Sequence, residues 1–221
     1  MDFRLYLITD RRLVADLPGA IDRALAGIPR GTAAVLLREK DLGARALHEL
    51  ALACRAVCDR RGAKLFLSDR ADVAIAAGAA GVHLTGGSID PADVRALAPG
   101  LLVGASCHTE AEIAARSDAD FALYSPIFPS PGKGPAIGLD ALRSAAACGL
   151  PLFALGGVDA ANAAACIEAG AHGIAGIRGW LAAPDPAAAT EQLLQTVLSA
   201  TSAAFPQGGS PPPMTRPRTL C

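Results

Sequence analysis

The chain has 221 residues, of which 52% are hydrophobic, 4% aromatic and 19% charged, and its formal net charge is -1. That balance excludes a nucleic-acid footprint built on net positive charge. Forty-nine alanines against one Trp, two Tyr and six Phe speak against an all-β sandwich, where aromatic and β-branched residues dominate.

Eight short β-rich segments recur along the chain: Arg4–Asp10, Ala33–Lys40, Lys64–Asp69, Gly81–Leu84, Leu101–Ser106, Phe121–Phe128, Pro151–Gly157 and Gly173–Arg178. Helical patterns lie between them. Gly43–Arg60 places Leu47, Leu50, Ala51, Cys54, Val57 and Cys58 at three- and four-residue steps, and Asp72–Ala80, Pro91–Ala98, Glu110–Ser117, Leu139–Ala147 and Ala160–Ala169 repeat the pattern more briefly. Strands apolar on both faces that alternate with helices predict a parallel sheet with helical crossovers. Eight such units in about 200 residues predict a single (β/α)8 TIM barrel over residues 1–200. An open doubly wound sheet is the alternative, but Thr9-Asp10-Arg11-Arg12 follows the first strand where a dinucleotide fold has G-x-G-x-x-G. Residues 201–221 are rich in Pro, Gly and Ser, include Pro211-Pro212-Pro213, and are expected to be a disordered tail.

No run approaches the roughly 18 apolar residues of a membrane span. Met1-Asp2-Phe3-Arg4 lacks a basic region followed by an apolar signal core. A cytoplasmic protein without membrane or nucleic-acid partners is the expectation. Cys54, Cys58, Cys107, Cys148, Cys166 and Cys221 form no Cys-x-x-Cys pair, so they read as small apolar residues.

Active sites of this fold lie at the carboxyl ends of the strands. The residues there are Asp10, Arg38-Glu39-Lys40, Ser68-Asp69-Arg70, His83, Ser106 with His108, Ser125, Ser130 with Lys133, Gly156-Gly157 and Arg178-Gly179. Arg38 and Lys40 stand two apart on the second strand, so both face one way with Glu39 opposite. A planar guanidinium fork beside a point charge suits a diphosphate; a salt-bridged strand end with Glu39 or Asp41 is the plainer reading. Gly156-Gly157 and Gly176-Ile177-Arg178-Gly179 close strands seven and eight, where barrels commonly hold phosphate, although a tight turn also needs glycine. Lys133 sits in Pro129-Ser130-Pro131-Gly132-Lys133-Gly134-Pro135, either a loop that closes over an anion or an ordinary surface loop. Asp69 is the acid best placed for Mg2+. His83 and His108 have no metal-type partners nearby in sequence and read as packed or hydrogen-bonded histidines.

In order, Tyr6-Leu7-Ile8-Thr9-Asp10, Leu37-Arg38-Glu39-Lys40, Asp69-Arg70-Ala71-Asp72-Val73-Ala74, Gly81-Val82-His83-Leu84, Gly104-Ala105-Ser106-Cys107-His108, Pro126-Ile127-Phe128-Pro129 and Ala154-Leu155-Gly156-Gly157-Val158 resemble the thiamine-phosphate synthase and TenI family. The resemblance spans residues 5 to about 180. It implies a barrel, usually a homo-oligomer, whose partners are small phosphorylated thiazole and pyrimidine precursors of thiamine. It implies further that Mg2+ helps diphosphate leave hydroxymethylpyrimidine diphosphate, whose pyrimidine cation the thiazole nitrogen then captures. By the same resemblance, Arg38, Lys40 and Lys133 bind the diphosphate, Asp69 binds the metal, and Ser106 lies between pyrimidine and leaving group. Ser68 falls at a pyrimidine-contacting position, and Ser130, Gly156, Gly157, Ile177 and Arg178 fall around the thiazole phosphate.

The sequence departs from the synthase pattern, with Leu36 for Gln, Ser68 for Asn, Ser88 for a metal-binding Asp and Arg178 for Ser. Asp90 stands two residues beyond Ser88 as a substitute acid. His83 to Pro91 looks more like the TenI branch, which includes a thiazole tautomerase. The tautomerase histidine position, however, is Pro126, which transfers no proton. Three readings stay open: a thiamine-phosphate synthase, a TenI-like enzyme or non-catalytic phosphate-ligand barrel, and another phosphate-binding barrel enzyme.

Overall fold

In the structure, a computed structural model describing residues 1–204, the β-rich segments form strands of three to six residues; Gly81–Leu84 keeps its bounds, Leu101–Ser106 shifts by one residue, and the other six contract. The strands are β1 (Leu5–Ile8), β2 (Ala33–Leu37), β3 (Lys64–Ser68), β4 (Gly81–Leu84), β5 (Leu102–Cys107), β6 (Phe121–Tyr124), β7 (Leu152–Ala154) and β8 (Gly173–Gly176). All neighbours pair in parallel, and β1 pairs with both β2 and β8, so the sheet closes in sequence order. The crossovers carry α1 (Leu17–Leu25), α2 (Ala44–Arg61), α3 (Ala71–Ala77), α4 (Pro91–Leu97), α5 (Glu110–Ala115), α6 (Gly138–Ala146) and α7 (Ala163–Glu168), while α8 (Arg178–Leu181) and α9 (Pro186–Ala204) follow β8. This is the (β/α)8 barrel that the alternation of segments predicts.

Helix α1 has no counterpart among the helical patterns above. It starts at an N-cap, Asp16, whose carboxylate accepts from the Gly19 N–H at 3.1 Å. Helix α9 reaches Ala204, so it takes in the first residues of the segment expected to form a tail; residues 205–221 lie outside the described residues. Among the described residues, no helix is long and apolar enough to cross a membrane.

The apolar half of the sequence divides into two bodies. Alanines, leucines and valines fill the shell between helices and outer strand faces. Inside the barrel, Phe3, Tyr6, Phe66, Phe121 and Phe153 form a separate cluster with Ile8, Ala34, Leu36, Leu123 and Ala175. Tyr6, Phe66 and Phe121 meet edge to face, with centroids 5.2 to 5.5 Å apart and ring planes 88 to 90° from parallel, the geometry that aligns positive ring edges with negative ring faces.

Three of these phenylalanines lie directly across from a strand glycine: Phe66 from Gly81, Phe121 from Gly104 and Phe153 from Gly173. A Cβ at those glycines would come within 2.3, 2.5 and 2.6 Å of the facing ring. Each glycine therefore gives up its side chain so that one large ring can spread across two strands of the lumen.

Four of the described cysteines, Cys54, Cys58, Cys107 and Cys166, are buried. Burial pushes the Cys54 thiol up to about 12, and the Cys107 and Cys166 thiols up to about 11. They are packing residues rather than nucleophiles.

Phe121→Ala is expected to lower the unfolding free energy by about 3–5 kcal/mol, and Gly104→Ala by about 1–3 kcal/mol through overpacking. Because removing the ring makes room for the new methyl, denaturant melts of the double variant should show a cost below the sum.

Candidate active site

Five of the expected residues meet where β2 to β5 end. The sheet leaves β2 at Leu37, so Arg38 and Lys40 stand on a loop and not on the strand. The reason is Glu39, whose buried carboxylate accepts from Thr9 Oγ1 at 2.6 Å and from the Arg11 N–H at 3.0 Å. Thr9 Oγ1 in turn accepts from the Arg38 N–H at 3.0 Å. The alternation survives this change: Glu39 turns inward beneath β1, while Arg38 and Lys40 turn outward to solvent. The plainer reading of these cations as partners of Glu39 or Asp41 does not hold, since Arg11 takes both acids, with Asp41 at 2.5 Å.

Lys40 reaches Asp69 instead, with Nζ 3.1 Å from Oδ2. Asp69 follows β3 at a φ of 62°, a left-handed conformation that Asp tolerates better than most residues. Its side chain is densely bonded. Oδ1 accepts from the Thr85 N–H at 2.8 Å, from Thr85 Oγ1 at 2.9 Å and from Ser88 Oγ; Oδ2 accepts from Ser68 Oγ at 3.2 Å. Partial burial works against its charge, but the donors from Ser88, Thr85 and Lys40 outweigh burial and hold the carboxyl down at about 2. Thr85 gives no motif signal of its own; its position two residues beyond His83, on the same face, is the feature that marks it.

His83 and Ser106 form the second contact of the cluster, with Nε2 and Oγ 3.0 Å apart. The ring is buried against Tyr6 and Phe121, and burial, only partly offset by Asp69, pulls it down to about 3. His83 is therefore neutral. Its Nδ1 is buried without a partner, and a bare acceptor costs less there than an orphaned N–H. The proton accordingly sits on Nε2 and is donated to Ser106 Oγ, which leaves the serine hydroxyl hydrogen free to point into the mouth. His108 lies two residues further on and donates from Nδ1 to the Ser125 carbonyl at 2.6 Å.

The remaining expected residues lie around β6 to β8. Gly156 and Gly157 have φ of 93° and 65°, and a Cβ on them would come within 2.7 Å of Pro126 and Phe128. The chain after β6 runs against them, with the Ile127 N–H on the Leu155 carbonyl and the Phe128 N–H on the Gly156 carbonyl, each 2.9 Å. The glycine pair thus seats the stem of the irregular segment that carries Ser130 and Lys133. Ile177 packs against the lumen cluster, and Arg178 opens α8.

The cations of this face sort into two groups. Arg12 pairs with Asp10 at 2.8 Å and Arg70 with Asp72 at 2.6 Å, so Asp10 and Arg70 are spent locally. Among the described residues, Arg38, Lys133 and Arg178 have no carboxylate within 4.0 Å, although all three are exposed. Asp90, the substitute acid for Ser88, is 3.6 Å from Arg116.

For Mg2+, the donor set offers one ionised carboxylate and the hydroxyls of Ser68, Thr85 and Ser88. No group of three or more His, Cys, Asp or Glu side chains with metal-binding potential occurs among the described residues. Oxygen donors with a single carboxylate fit an ion that completes its sphere with water and substrate phosphate oxygens, the usual manner of Mg2+. They do not form a closed cage.

Neutral His83 also sets a pH dependence. The unfolded state binds a proton near pH 6.5 that the folded ring refuses until about 3, so this contribution to stability is complete above 6.5 and lost as pH falls. Burial likewise pulls the His172 ring down to about 4, so unfolding titrations should show a loss of about 2 kcal/mol per ring between pH 6.5 and 5, and His83→Asn should remove about half of that slope.

Comparison with known proteins places this arrangement in a family. The model of the family described as thiamine monophosphate synthase matches residues 5–180. A protein of Geobacter sulfurreducens, named provisionally as a thiamine-phosphate synthase, is 44% identical over 203 residues, 88% of this chain and 94% of its own. The thiamine-phosphate synthase of Roseiflexus castenholzii is 40% identical over 197 residues, 86% of each chain. Among solved structures, the thiamine phosphate pyrophosphorylase of Pyrococcus furiosus matches with a TM-score of 0.81 at 32% identity, covering 89% of this chain and 96% of its own. Both matched runs and relatives cover the barrel from end to end, and the chain belongs to the thiamine monophosphate synthase family.

Proposed function

We propose that the protein is a thiamine-phosphate synthase that joins hydroxymethylpyrimidine diphosphate to thiazole phosphate and releases diphosphate. The observation that carries this reading is the set of cations that have no carboxylate partner among the described residues, Arg38, Lys133 and Arg178, which follow β2, β6 and β8 at the same carboxyl-end face as Lys40, Asp69 and Ser106 in a chain of this family. Two anionic groups, one on each substrate, answer that pattern.

In the reaction the bond between the pyrimidine methylene carbon and the diphosphate oxygen breaks, and its electron pair leaves on oxygen. The thiazole nitrogen lone pair then forms the new carbon–nitrogen bond. No side chain has to take a proton, so the chain's work is binding and charge stabilisation. Arg38, Lys40 and Lys133 bind the diphosphate, and Lys133, on an irregular segment, closes over it. Ser106, whose hydroxyl hydrogen His83 leaves available, donates to the leaving oxygen. Ser130, Gly156, Gly157, Ile177 and Arg178 surround the thiazole phosphate, and Ser68 contacts the pyrimidine. Mg2+ held by Asp69 would supply further charge neutralisation on the diphosphate. Substrates of this kind make a cytoplasmic protein the matching reading, acting as a homo-oligomer without nucleic-acid or membrane partners.

A thiazole tautomerase is disfavoured by Pro126, whereas a non-catalytic phosphate-ligand barrel would carry the same cations and is separated from the synthase by turnover. Purified protein given both precursors and Mg2+ is expected to form thiamine phosphate and diphosphate. No product at high enzyme concentration overturns the synthase reading. Within an active enzyme, Ser106→Ala is expected to reduce kcat by about 10²-fold with little change in KM, since its hydrogen bond strengthens only as charge develops.

A further inference from the structure

The carboxylate of Asp69 is saturated. A carboxylate offers about four lone-pair sites, and Asp69 already receives five donors: Thr85 N–H, Thr85 Oγ1, Ser88 Oγ, Ser68 Oγ and Lys40 Nζ. The last of these is a full positive charge 3.1 Å from Oδ2. A divalent cation arriving alone would find one negative charge, already neutralised, and an ammonium to repel it. A diphosphate reverses both terms, because it draws Lys40 toward its own oxygens and brings several negative charges of its own.

We infer that Lys40 is the resident cation of this site, and that the protein takes up its divalent ion only as the metal–diphosphate chelate. The inference rests on the synthase reading for the class of ligand, a diphosphate, but not for turnover. It assigns Lys40 two roles that exchange on binding: partner of Asp69 in the free chain and ligand of the diphosphate in the complex. It also gives Ser88 a role. Its hydroxyl donates to Asp69 and so adds to the saturation, where an acid at position 88 would instead add a second negative charge and create a resident metal site.

Mn2+ is the probe, followed by its electron paramagnetic resonance signal and by water-proton relaxation, with inorganic diphosphate as the anion. The free protein is expected to bind Mn2+ no better than millimolar, and Mn2+ with diphosphate at least 30-fold better, by the order of magnitude that favourable charge pairing in a partly buried site gives. Lys40→Met should move the two affinities in opposite directions: about tenfold tighter for Mn2+ alone and about tenfold weaker for the Mn2+–diphosphate pair. Ser88→Asp should also tighten Mn2+ alone. General damage to the fold would weaken everything together, so opposite shifts identify the exchange. Micromolar Mn2+ binding by the free protein, or a Lys40→Met variant with unchanged Mn2+ affinity, overturns the inference. These readouts contain no turnover, so a protein that makes no thiamine phosphate yet shows the opposite shifts keeps this inference and loses the synthase reading alone.

Discussion

The barrel depends on three glycine–phenylalanine pairs. Gly81, Gly104 and Gly173 stand opposite Phe66, Phe121 and Phe153, and with Phe3 and Tyr6 these rings fill the lumen. A chain with so few aromatic residues spends five of them on this plug. Small residues elsewhere follow from the same economy, since alanine-rich helices pack close to a narrow barrel without bulky side chains. The plug closes the lumen from below, so ligand chemistry is confined to the carboxyl-end mouth.

Plug and site meet at His83. The ring packs on Tyr6 and Phe121, and a Cβ at Gly104 would come within 2.6 Å of its Nδ1. The same glycine that admits Phe121 therefore also admits the histidine. Apolar packing keeps the ring neutral and leaves Nδ1 without a polar partner, and that bare Nδ1 is what puts the proton on Nε2, facing Ser106. A chemical property of the mouth, the free hydroxyl hydrogen of Ser106, is thus set by hydrophobic packing one layer below it. His108 works on the outer side in a related way, tying the end of β5 to the Ser125 carbonyl ahead of the segment that carries Lys133.

Architecture and the approximate place of the site were legible in the sequence because both are periodic. Strands apolar on both faces repeat at regular spacing, and fold rules place function at their carboxyl ends. Where each strand stops was not legible. Arg38 and Lys40 read as strand residues because alternation continues through them, whereas the sheet ends at Leu37 when Glu39 bonds Thr9 and Arg11. That bond joins residues 30 positions apart, and no local pattern encodes it. Thr85 was missed for the same reason, since its significance lies wholly in Asp69, 16 positions away. Gly156 and Gly157 illustrate the converse. Their presence was plain, but their steric demand comes from Pro126 and Phe128, which only tertiary structure brings near.

Charge at the mouth is organised by how the two inward acids are satisfied. Glu39 is bonded by a hydroxyl and a backbone N–H, both neutral donors, with the Arg11 guanidinium more distant at 3.9 Å. Asp69 is bonded by three hydroxyls, an N–H and one ammonium. Neutral donors let an acid build structure without consuming a cation, and each cation not so consumed stays available to a ligand. A chain of net charge -1 thereby presents a locally positive mouth: among the described residues Arg38, Lys133 and Arg178 are left without carboxylates, and Lys40 is held by one that shares its charge among four other donors. An anion competing for Lys40 therefore displaces only one of the five bonds that fix Asp69. The loop that carries Thr85 and Ser88 stays anchored while the cation changes partners, which separates the site's framework from its exchangeable charge.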